Sequence, residues 1–172
     1  MHVRLLAATL LLLSLAAPAG AKKTAEDRLG GKIILSTKMF PRQFASDGAM
    51  VAHMKKAHTK AFRYDESGKI EVEFMAFFAR PHTTTEFTGT IYDVTEGRQV
   101  AGTFPIYPAQ KETRVLQSGM TLNRETYAAE RRYLFVITNG YRGAVLAEAN
   151  FVLQRPAGER DAKVEPTVVD MQ

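Results

Sequence analysis

Lys69-Ile70-Glu71-Val72-Glu73-Phe74-Met75-Ala76-Phe77-Phe78-Ala79 sets the architecture. Ile70, Val72, Phe74, Ala76 and Phe78 fall at every second position, so an extended chain puts them on one face and turns Glu71 and Glu73 to the other. Met75 and Phe77 then make the second half apolar on both faces. That pattern predicts a central strand whose far end is covered on each side.

The same two-residue rhythm continues outward, interrupted every ten residues or so by Gly, Pro, Asn or Asp. Upstream, 32–40 reads as a first strand stopped at Pro41, and 60–64 as a short one before the turn Asp65-Glu66-Ser67-Gly68. Downstream, strands are expected at 86–95, 98–107, 113–122, 131–138 and 143–153. Pro105 and Pro108 mark 98–107 as an edge or strand end, and Asn139-Gly140-Tyr141-Arg142-Gly143 joins the last two strands as a hairpin. One segment breaks the period. Asp47 to His58 carries Met50, Val51 and Met54 at helical spacing behind Ser46, which predicts a short capped helix.

Seven or eight short strands plus one helix define an all-β chain, and two packed antiparallel sheets bury such alternating faces most simply. The expectation is an antiparallel β-sandwich, with a small β-barrel as the alternative. The stretch from Leu122 to Tyr133-Leu134-Phe135-Val136-Ile137 resembles the approach to the penultimate strand of immunoglobulin-like domains, where a Tyr follows a leucine by about ten residues. The resemblance implies an immunoglobulin-like outline and no function. The cysteine and tryptophan hallmarks are missing here.

Residues 1–21 have the layout of a secretory signal peptide. His2 and Arg4 precede an apolar run from Leu5 to Ala17, and Pro18-Ala19-Gly20-Ala21 offers small residues for cleavage before Lys22. As a helix that run spans only about 20 Å, short of the roughly 30 Å hydrocarbon core, so no stable transmembrane anchor is expected after cleavage. The expected organisation is a signal peptide at 1–21, a flexible leader at 22–31, the folded domain at 32–154 and a flexible tail at 155–172. The chain is expected to be exported, periplasmic or extracellular if the source is bacterial.

Composition removes several chemistries. With no cysteine among 172 residues, there is no disulfide framework, thiolate metal site or thiol nucleophile. Lys and Arg number 23 against 18 Asp and Glu, for a net charge of +5 that signal removal lowers by one. The bases are dispersed, without the concentrated patch that nucleic acid demands, so no nucleic-acid partner is expected. A mildly basic surface suits solvation or anionic polysaccharide and lipid headgroups.

The remaining chemistry-bearing residues offer few convergent sites. His53 and His58 lie five apart, poorly convergent for zinc, with Lys55 and Lys56 between them to repel a cation. Met50, His53, Met54 and His58 share a rough helical stripe of the kind a cuprous carrier uses, although methionines that dock a helix explain the same spacing. No serine lies in a nucleophile elbow. Glu71, Glu73 and Glu86 read as a solvated strand face, and Asp65-Glu66-Ser67-Gly68 as a turn rather than a calcium loop. Leu29-Gly30-Gly31-Lys32 lacks the features of a phosphate-cradling loop. Tyr92, Tyr107, Tyr127 and Tyr141 are the candidate aromatic platforms. No catalytic, cofactor-binding or metal residue is assigned. The expected function is an exported, non-enzymatic binding module for a protein or envelope polymer, acting through loops or a free strand edge. The alternatives are a small-ligand carrier or enzyme with a dispersed site, in which His58 or His82 would stand near a carboxylate, and a Met/His metal carrier.

Overall fold

The protein was analysed as a computed structural model that describes residues 23–159, so the expected signal peptide and the part of the expected tail beyond 159 lie outside the described residues. In chain order the elements are α1 (Ala25–Leu29), β1 (Lys32–Ser36), α2 (Asp47–Ala57), β2 (Ala61–Arg63), β3 (Lys69–Thr83), β4 (Phe87–Asp93), β5 (Gln99–Ile106), β6 (Glu112–Asn123), β7 (Arg131–Thr138) and β8 (Val145–Gln154). Every strand read from the alternation is present. The chain is mostly β.

The strands form one curled, mixed sheet in the order β5-β4-β7-β8-β1-β3-β6, with β2 also paired to β8. The curl is visible in the side chains. β3 and β4 are four positions apart in this order, roughly 19 Å in a flat sheet, yet the rings of Phe78 and Phe87 have centroids 5.0 Å apart. Phe74 of β3 likewise meets Phe135 of β7 edge-on at 5.1 Å. The concave face thus closes on itself as a half-barrel around Phe74, Phe78, Phe87, Phe135, Tyr133 and Phe151.

Two expectations need correction. The sheet is not antiparallel throughout, because β1 and β2 both run parallel to β8. Alternation fixes which face a side chain takes but carries no signal for the direction of a distant neighbour. The expected flexible leader also contains α1. Thr24 and Asp27 cap each other reciprocally, and the helix buries Ala25 and Leu29.

Both faces of β3 are covered, as its sequence requires. Ile70, Val72, Phe74, Ala76 and Phe78 enter the concave core, while Met75 and Phe77 pack outward with Leu29 of α1, Val51 and Met54 of α2, and Ile34 of β1. Ser46 caps α2 by accepting the Ala49 amide. Arg114 of β6 fastens α1, pairing with Asp27 and donating to the carbonyls of Phe78 and Ala79. That guanidinium holds the Asp27 carboxyl below its ordinary pKa.

Candidate functional site

The two ends of the sheet are built differently. Among the described residues β5 pairs only with β4, and its edge is interrupted: Pro105 lacks an N–H, and Ala101 bulges where Ile91 opposes Gly102 and Tyr92 opposes Val100. The Tyr127 ring lies directly over Gly102, where a Cβ would meet its hydroxyl, and Phe104 lies over Gly89. Buried Tyr64 donates its hydroxyl to the Tyr127 carbonyl, holding the wedge from behind. Burial raises the pKa of Tyr64 and Tyr127 above that of free tyrosine.

Among the described residues β6 pairs only with β3, in unbroken register from Asn123 opposite Lys69 to Val115 opposite Phe77. Val115 to Asn123 contains no proline and no charge. Leu116 and Leu122 enter the core and Met120 lies partly buried against it. Gln117, Gly119, Thr121 and Asn123 are exposed. The nearest carboxylate is that of Glu73, beside Gly119. None of the devices that normally blunt a sheet edge is present along these nine residues.

A third opening lies inside the sheet. β1 and β8 pair at one position, Lys32 opposite Glu148, with the Glu148 amide donating to the Gly31 carbonyl at 3.1 Å. Beyond it the strands part. The Leu35 amide donates to His58 Nδ1 at 3.3 Å, Thr59 N–H to the Leu35 carbonyl and Val152 N–H to the Lys60 carbonyl, each at 2.8 Å. Residues 58–60 therefore enter as a wedge, after which β2 takes the place beside β8. Because Nδ1 accepts, the neutral ring carries its proton on Nε2. Burial, and then the charge of Lys60, lower the His58 pKa and favour this form.

The fork opens into a groove of about 1050 Å³ lined by Arg28, Lys32, Lys55, His58, Lys60 and Glu148 over an apolar floor that includes Leu29, Ile33 and Val51. The ion pairs among the described residues lie elsewhere, on Arg114, Arg124 and Arg131.

The residues weighed in the sequence separate in space. Met54 is fully buried beneath α2 and Met50 is partly buried against the same cluster, while His53 packs on the Phe44 ring. His58 is spent on β1, so the Met/His stripe is not one ligand set. His58 and Glu148 share the groove, but no hydrogen bond or ion pair joins them among the described residues. His82 packs edge-on against Phe78. Of the tyrosines, Tyr127 is buried, Tyr92 lies under Arg98, and Tyr107 and Tyr141 are exposed at 68% and 76%, from separate turns. Sequence reasoning missed the groove because its bases come from four segments, α1, β1, α2 and the wedge.

No protein-family model matches the chain, and no curated protein matches it.

Proposed function

We propose that this is an exported, non-enzymatic module of immunoglobulin-like sandwich outline that binds an extended polypeptide by adding it as a strand to β6. The observation that carries the reading is the contrast between edges. β5 is bulged, proline-bearing and wedged by Tyr127, whereas β6 presents nine residues free of charge and proline in unbroken register. Main-chain hydrogen bonds supply affinity in strand addition, and alternate side-chain pockets supply selectivity. Half-buried Ser118 and Met120 leave room on the inner side of β6 for an apolar residue at every second position of the incoming segment.

The sandwich outline draws support from the pairing order. β5-β4-β7-β8 and β1-β3-β6 are joined through only one β1–β8 position, Lys32 opposite Glu148, which favours reading them as two layers. Phe74 and Phe135 touch across the interior. The Tyr133 hydroxyl returns to the Ala128 carbonyl at 3.0 Å, just before β7, in the manner of a tyrosine corner. Burial, aided by Asp93, pushes that hydroxyl up to about 12. Export rests on the layout of residues 1–21, and amino-terminal sequencing that begins at Lys22 checks it.

The binding reading is tested by placing a photo-crosslinking residue at Thr121 on β6 or at Thr103 on β5 in cells of the source. The expected result is a polypeptide adduct from Thr121 alone, abolished when Gln117→Lys is added. Equal adducts from both edges sink the reading.

A further inference from the structure

We infer that the groove at the fork between β1 and β8 is a binding site for a phosphate ester, separate from the β6 edge. Arg28, Lys32, Lys55 and Lys60 line one opening with Glu148 as its only carboxylate. All four bases are exposed and none has an ion-pair partner among the described residues. Lys55 lies in the last turn of α2 and offsets the partial negative charge of that helix end. Arg28 stands in the last turn of the five-residue α1, and Lys32 and Lys60 lie on strand and wedge with no helix end to offset.

The uncharged donors point to the same class of ligand. His58 accepts the Leu35 amide through Nδ1, which leaves Nε2–H as a donor on the groove wall. Gly31 has φ +82° and open space where a Cβ would stand, so a ligand atom can approach the backbone there. A phosphate monoester carries close to two charges and three acceptor oxygens, enough to engage several separated cations at once. A carboxylate carries one charge. The apolar floor of Leu29, Ile33 and Val51 suits the uncharged body to which the phosphate is attached. The groove volume of about 1050 Å³ accommodates a headgroup or a sugar phosphate.

A phosphate on a lipid surface and one on a soluble molecule share this chemistry, so the test has two arms. Titration with pyrophosphate, followed by amide chemical shifts, addresses the soluble source. Co-sedimentation with phosphatidic acid vesicles, whose headgroup is a phosphate monoester, against phosphatidylcholine vesicles, addresses the lipid source. Binding in either arm that shifts the amides of Gly30, Gly31 and His58 supports the site and names the source. Lys55→Gln and Lys60→Gln should each weaken binding about fivefold, and the loss should shrink at high salt. Lys111→Gln, an exposed base outside the groove, should leave binding unchanged. No binding in either arm, or an equal loss from Lys111→Gln, overturns the assignment. The shift mapping uses the unmodified protein, so the test survives a variant that folds poorly.

Discussion

β5 and β6 end the strand order of one curled sheet, yet they solve the exposed-strand problem in opposite ways. β5 spends residues on defence: a proline, a bulge and Gly102 roofed by the Tyr127 ring, while its Phe104 covers Gly89 of the neighbouring β4. β6 spends none over Val115 to Asn123. Edge defences cost ladder hydrogen bonds and strand propensity, so their presence on one edge and absence from the other is the contrast on which the proposed strand addition to β6 rests.

The largest expected effect removes the support both edges share. Phe135 touches Phe74 on the β3 side and stacks on Phe104 at 5.7 Å on the β5 side. Phe135→Ala should cost about 3–5 kcal/mol in denaturant unfolding. Amides of β5 and β6 should lose protection together. If one edge melts first, the edges do not rest on a common core.

A matched pair of glycines sharpens the contrast. Gly102→Ala forces the Tyr127 ring out of place and should cost about 1–3 kcal/mol. Gly119→Ala meets only the Glu73 carboxylate, at 3.2 Å, and should lie within about 0.5 kcal/mol of the parent. Equal costs in thermal melts would show that Tyr127 is no wedge.

The internal edge at the fork is sealed by an imidazole, which makes it sensitive to acid. The folded-state pKa of His58 is depressed, so its contribution to stability is complete above the unfolded value of 6.5 and is lost as pH falls through the lower folded value. Melting temperatures from pH 7.5 downward should fall more steeply for the parent than for His58→Asn. Parallel curves would remove His58 from the account.

The smallest effect on stability carries the most functional meaning. Gln117→Lys with Thr121→Lys on β6 should change unfolding free energy by no more than about 0.5 kcal/mol, while abolishing strand addition in the crosslinking assay.

Much of this was legible in the chain. The rhythm of Ile70 to Phe78 gave β3 and its inner face, Met75 and Phe77 announced the outer layer, and Ser46 with Met50, Val51 and Met54 gave α2. Pro105 marked the guarded edge. α1 was missed because five residues are too few for a helical period, although Thr24 and Asp27 at cap spacing, followed by Leu29, were its signal. The parallel partners of β8 were hidden because pairing between remote strands leaves no local pattern. Neither the Tyr127 wedge on Gly102 nor the convergence of four bases on the fork has a local signature, since each joins residues far apart in sequence.

β8 bonds to β7 on one flank and to β1 and β2 on the other. It is the keystone of the ladder and, among the described residues, the last strand to emerge during synthesis. Until it arrives, β5-β4-β7 and β1-β3-β6 share no strand pairing, and only ring contacts across the core, such as Phe74 with Phe135, hold the two groups together. Deleting residues 145–154 should therefore yield two groups of strands with no common ladder rather than a smaller version of the same sheet.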